Sequence, residues 1–268
     1  MLPRLGLLRF AQSLWRILTG KPQIPLSLKD NELLNVILKR RSVRRFANHP
    51  IPDDVFAAIL EAGRLAPSTV NLQTWSFAVF TAESWRETFD RPLPFKAPRA
   101  VIVLGDTYRD RRIADIFPAS PLVEYTIAVM NASLAAMNMN LVAEALGVSS
   151  LMLSETGRSG MLDAGYLKEK LGLPDGVFPL MTIVFGYAQG AYPPMPPKLP
   201  LEQICFTGRY KETDKAIMDD WLAQMMAGYK ASQPFSSFEA QLRVYLSKIN
   251  QAEADLQRMV FYRQPPPK

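Results

Sequence analysis

The chain has 268 residues, 48% of them hydrophobic, 31 basic and 25 acidic, for a net charge of +6. That is enough apolar material for one large core or two small ones, and one cysteine, Cys205, excludes an intramolecular disulfide framework and fits a reducing, cytoplasmic setting. A single histidine, His49, beside that cysteine leaves no basis for a His/Cys zinc site and a poor one for a serine triad. There is no GxGxxG or GxxxxGK[ST] stretch and no run of 18 apolar residues, so neither fingerprint is supported and no transmembrane helix is expected.

In chain order, Met1 to Lys21 reads as an amphipathic helix, with Leu7, Ala11, Leu14 and Leu18 on one face, Leu8 and Trp15 beside them, and Arg9, Ser13 and Arg16 opposite. Arg9 interrupts the short apolar core, which argues against a secretory signal. The helix either packs on the body or a partner subunit, or rests on a membrane surface. Lys21 to Pro25 then forms a stiff linker. A helix is expected over Lys29 to Lys39, and Arg40-Arg41-Ser42-Val43-Arg44-Arg45-Phe46 follows it directly.

Four guanidiniums around one serine, with no acid between Lys39 and Arg45, suit a phosphate, because each offers a planar fork of donors. The alternative is an exposed basic turn. A second helix is expected over Pro52 to Leu65, with Asp53 and Asp54 in its first turn. The loop Ala66-Pro67-Ser68-Thr69-Val70-Asn71-Leu72-Gln73-Thr74-Trp75 follows, and its amides offer both donors and acceptors to a flat heteroaromatic ring.

Strands are expected over Ser76 to Phe80, Ala100 to Leu104, Ser150 to Leu153 and Met181 to Tyr187. Helices are expected near Glu83 to Phe89, over Leu122 to Leu146 and over Gly160 to Leu171. The second of these is rich in Ala and Met, apolar on most sides, and closed by Gly147, so it reads as a buried helix at a subunit interface. The charged run Asp106 to Arg112 lies where a lid over a site would sit. Ala191 to Pro200 must be extended or turned. Helices over Asp214 to Tyr229 and Phe238 to Gln257 complete the chain. Three regions follow: 1–28, an amphipathic extension and linker; 29–210, the main domain; 211–268, a helical extension.

The order of RRSVRRF and APSTVNLQTW resembles the FMN-dependent nitroreductase family, whose pattern has an Arg-x-Ser-x-Arg opening and then Pro-Ser-x-x-Asn-x-Gln-Pro-Trp. Thr74 stands where the second proline of that pattern would be. Glu144 to Ser154, Phe178 to Tyr187 and Pro196 to Ile204 extend the likeness over about residues 30–210. The resemblance implies an α+β fold with a mixed central sheet flanked by helices, in an intertwined homodimer. It also implies FMN as cofactor and NADPH or NADH as co-substrate.

By that likeness Arg40, Arg41, Ser42 and Arg44 hold phosphate and ribityl, with Lys198 on the same phosphate. Ser68, Asn71 and Gln73 border the ring and ribityl from the neighbouring subunit. Met152, Leu153, Ser154 and Glu155 face the ring, and Arg158 is left open between cofactor and phosphate. The tail loosely resembles the larger, NADPH-preferring branch. The implied activity passes a hydride from NAD(P)H to a nitroaromatic, quinone or similar small-molecule acceptor by ping-pong. No side chain is assigned as a dedicated acid or base. The alternative is a flavin-binding or membrane-surface protein without turnover, with contact through residues 1–20. Nucleic acid is not expected, because the acids are spread along the chain and the phosphate already accounts for the tightest basic cluster.

Overall fold

The structure, a computed structural model, describes residues 6–20, 22, 24–114, 116–153, 160–232, 235 and 237–261. In chain order the elements are α1 (Leu7–Thr19), α2 (Glu32–Lys39), α3 (Asp53–Arg64), β1 (Trp75–Thr81), α4 (Ala82–Phe89), β2 (Arg99–Asp106), α5 (Tyr108–Arg111) and α6 (Pro121–Ala145). They continue as β3 (Ser149–Leu153), α7 (Ala164–Leu171), β4 (Val177–Gly186), α8 (Leu201–Ile204), α9 (Lys215–Ser232) and α10 (Phe238–Phe261). They fall into two compact units, one of residues 29–192 and 248–268, the other of residues 1–28 and 193–247.

The unit of residues 29–192 holds the sheet, in the order β1-β2-β4-β3 with every neighbouring pair antiparallel. The sheet is therefore antiparallel rather than the mixed one expected, and the parallel pairing of Ser42 with Ser150 is an isolated bridge beside it. Alternation along β2 sends Val101 and Val103 to one face and Ala100, Ile102 and Leu104 to the other, all of them buried. The first face is covered by α3 (Phe56, Ile59) and by α6 (Ala128, Ala132, Ala135, Ala136, Met139), with Met259 and Val260 of α10 joining the same core. The second is covered by Trp85 and Phe89 of α4 and Leu167 of α7. Helices on both faces of one sheet complete an α+β sandwich. β4 begins at Val177, four residues before the expected start, and its register against β2 shifts between Val103 and Leu104. That bulge accommodates Pro179 inside a buried strand.

α6 meets its expectation as the long central helix, and Gly147 closes it at φ +75°. It corrects one other: by length and composition it is apolar enough to span a bilayer, although its inner face is the core of the sheet. Leu122, Met130, Leu134 and Met137 are exposed at helical spacing along its outer face.

In the other unit α1 packs on α9, but with a different face from the one expected. Ser13 is buried there, with Phe10, Leu14 and Ile17 half-buried, while Leu7, Leu8, Trp15 and Leu18 are exposed. Polar contacts flank this packing: Arg16 forms an ion pair with Asp220, and Arg9 donates to the carbonyl of Asp219. The extended stretch 193–200 lies in this unit, where the carbonyl of Pro197 accepts from the Trp221 indole.

Candidate functional site

Asn31 caps α2 by accepting from the N–H of Leu34, and the helix ends where Arg40 turns extended (φ −52°, ψ 132°). Arg41 folds back over that end. Its guanidinium donates to the carbonyls of Leu38 (2.6 Å) and Arg40 (2.8 Å), which α2 leaves unpaired. The following segment lies along β3: Ser42 bridges Ser150, and Val43 N–H donates to the Ser150 carbonyl at 3.1 Å. Val43 and Phe46 root it in the core. Phe46 fits because Gly186 has no side chain, for a Cβ there would lie 2.8 Å from the ring. Arg44 and Arg45 point outward and are exposed. Among the described residues no ion pair involves Arg40, Arg44 or Arg45.

The ribbon beside the arginines is tied to α6. Ser150 donates to the Asn140 amide oxygen, and the same amide donates to the Met152 sulfur at 3.4 Å. Met152 is half-buried and Leu153 buried. Glu144, one turn further along α6, has one carboxylate oxygen buried without a hydrogen bond. Burial raises its pKa, against the pull of Arg40, Arg41 and Lys39 and a hydrogen bond from Tyr192. The expected positions Ser154, Glu155 and Arg158 lie outside the described residues.

Ser68, Asn71 and Gln73 stand on a strained loop. Val70, Asn71 and Gln73 have positive φ (42°, 58° and 52°), each costing on the order of 1–3 kcal/mol. Several groups hold the loop in that shape. Ser68 Oγ accepts from Gln73 N–H at 3.0 Å. Arg109 donates to the carbonyls of Gln73 and Trp75, and is itself steadied by Asp106. Asp106 also accepts from the Ser76 hydroxyl and the Tyr108 N–H. Thr74, where the resembling pattern has proline, is fully buried and accepts from Asn131 at 2.8 Å. Asn71 and Gln73 are exposed, and Gln73 opens onto a groove of about 580 Å³ with Arg64, Trp75 and Arg109.

The charged run Asp106 to Arg112 therefore includes a short helix anchored from below. Glu124, fully buried on α6, accepts from Thr107 and pairs with Arg111 at 2.5 Å. Sequence reasoning missed Asn131, Asn140 and Glu124. The available signal was a polar side chain at an inward position of an apolar helix, which requires a partner.

Arg40, Ser42, Arg44, Met152 and Leu153 come together along β3. Ser68, Asn71 and Gln73 do not join them within the chain: their loop is attached at Asn131 and the arginine segment lies by Glu144, some 13 residues or roughly 20 Å apart along α6. Lys198 is exposed in the stretch 193–200 of the other unit.

The family model described as the nitroreductase family matches residues 37–187. An NADPH-dependent oxidoreductase of Staphylococcus aureus (strain MRSA252) is 28% identical over 205 residues, covering 71% of this chain and 80% of its own. Among solved structures, NfrA2 of B. megaterium aligns with a TM-score of 0.72 at 19% identity, over 88% of this chain and all of that one (100%). An NADPH:FMN oxidoreductase of Vibrio harveyi, solved with NAD+, aligns with a TM-score of 0.64 at 21% identity, over 83% and 98%. At these identities the structural likeness is one of fold.

Proposed function

The chain belongs to the nitroreductase family, a membership that supports NAD(P)H-dependent oxidoreduction, and from it we propose an FMN-dependent enzyme that reduces a nitroaromatic, quinone or similar acceptor by ping-pong. The observation that carries the flavin is the arginine segment: Arg40 and Arg44 lie beside β3 and form no direct ion pair among the described residues, with Glu144 the acidic neighbour of Arg40, and this donor set fits a phosphate. Bound FMN supplies the hydride chemistry, and the protein supplies orientation and field. Arg40 and Arg44 hold the phosphate and Ser42 donates to the same end of the cofactor. Met152 supplies the apolar contact on the β3 side, while Leu153 points to the opposite face of the sheet, into the second core. No residue is assigned as a proton donor.

A homodimer completes the site in this proposal. The half-sites, one near the middle of α6 and one at its C-terminal end, meet when a second copy is turned to lay its loop over the first copy's arginines, and the exposed stripe Leu122, Met130, Leu134 and Met137 suits such an interface. We place the enzyme in the cytoplasm, as expected for a chain with a single exposed cysteine. The absorption spectrum of the purified protein tests the reading: a flavin spectrum is expected, bleaching anaerobically with NADH or NADPH. Colourless protein that takes up no FMN refutes it. The exposed face Leu7, Leu8, Trp15 and Leu18 of α1 favours one other reading, a surface-attached flavin protein. That reading holds if the flavin is bound but neither nucleotide bleaches it.

A further inference from the structure

Asn131 is 2% exposed, on a stretch of α6 whose other inward residues are alanines. Both ends of its amide are engaged with one loop. Its Oδ1 accepts from the N–H of Thr69 (3.1 Å) and from the Thr69 hydroxyl (3.3 Å), and its Nδ2 donates to Thr74 Oγ1 (2.8 Å). Thr69 and Thr74 stand on either side of Val70, Asn71 and Gln73, the three residues at positive φ. One buried side chain thus ties both ends of the strained turn to a rigid helix. Conformations of that kind persist only when their surroundings over-determine them. Arg109 works on the other side, through the carbonyls of Gln73 and Trp75, but from an exposed position.

We infer that Asn131 is a positioning residue: through Thr69 and Thr74 it holds Ser68, Asn71 and Gln73 in the shape in which they meet the flavin, without touching the flavin itself. The inference rests on the proposed flavin site. A loop released from Asn131 carries the same donors but offers them in the competent shape for only part of the time, and affinity falls by that fraction.

The test uses the full chain and three variants: Asn131→Leu, Thr74→Val and the double variant. Hydrogen exchange at residues 69–75 is followed without flavin. FMN affinity is read by fluorescence quenching, and visible circular dichroism is recorded at saturating FMN. Exchange at Thr69, Leu72 and Trp75 should speed up in both single variants. FMN affinity should fall by about tenfold in Asn131→Leu if the competent loop drops to about a tenth of the population.

The double variant should match Asn131→Leu, because the Thr74 bond is already gone there. The flavin dichroism should change, which loss of stability alone would not produce. Unchanged exchange in Asn131→Leu overturns the inference, and so does a loosened loop with unchanged affinity and dichroism. Should Asn131→Leu fail to fold, Thr74→Val removes one hydroxyl at constant volume and decides the matter by the same readouts. Wild-type protein that binds no FMN refutes the flavin reading and the flavin role of Asn131 together. Faster exchange in the variant would then still assign Asn131 to holding the loop.

Discussion

Two arginines three residues apart should fail in opposite ways when removed. Arg44 is exposed and, among the described residues, unpaired, so Arg44→Ala removes nothing the fold relies on. A hydrogen bond to a charged group is worth about 1.5–3 kcal/mol. Solvent reaches this side chain, which selects the lower end, about 1.5 kcal/mol or roughly a tenfold rise in Kd for FMN.

Arg41 spends its guanidinium on the carbonyls of Leu38 and Arg40, two bonds of about 1 kcal/mol each. Arg41→Ala should therefore lower the thermal midpoint by about 4–8 °C, at about 2–4 °C per kcal/mol for a chain of this size. FMN titration and thermal unfolding, run on both variants, separate the effects. The Arg44 penalty should also shrink as salt is added, since the interaction is screened. If Arg44→Ala bound FMN like wild type at low salt, or if Arg41→Ala lost flavin at an unchanged midpoint, the assignment of roles along this segment would be wrong.

Arg111→Met leaves the Glu124 carboxylate buried without its guanidinium and should cost about 3–5 kcal/mol in urea unfolding; a loss below about 1 kcal/mol would mean that its remaining partners, Thr107 among them, satisfy it. Glu144 supplies a pH test. Burial raises its folded pKa above the unfolded value, so the folded state binds this proton more tightly and the carboxyl counts against folding as pH rises through and above that range. Glu144→Gln should thus raise the thermal midpoint at pH 8 and leave it unchanged below about pH 3, where the carboxyl is protonated in both states. The opposite ordering would show that its attraction to Arg40, Arg41 and Lys39 outweighs its burial.

Much of the architecture could be read from the residues in order. The apolar run Ala100 to Leu104 marked β2, the small-residue period with Gly147 marked α6, and two polar segments bounding a helix and a strand pointed to the site. The start of β4 escaped because Pro179 argues against a central strand, and only the bulge opposite Leu104 makes room for it. The face α1 presents to α9 escaped because apolar period ranked Leu7 and Leu18 first, whereas the small residues Ala223, Ala227 and Gly228 of α9 lie in the contact that takes in Ser13 and Ile17. The division of labour between Arg41 and Arg44 was hidden as well. Both are guanidiniums in one run, and only the path of the chain off α2 decides which folds back.

The helix that carries Asn131 near its middle and Glu144 at its far end acts as a ruler. Every residue inserted between those marks would move them about 1.5 Å further apart and swing one about 100° around the axis from the other. Such an insertion would misalign the turn with respect to the arginine ribbon while leaving every individual side chain intact. The interval is therefore fixed in length, and changes in chain length belong outside it.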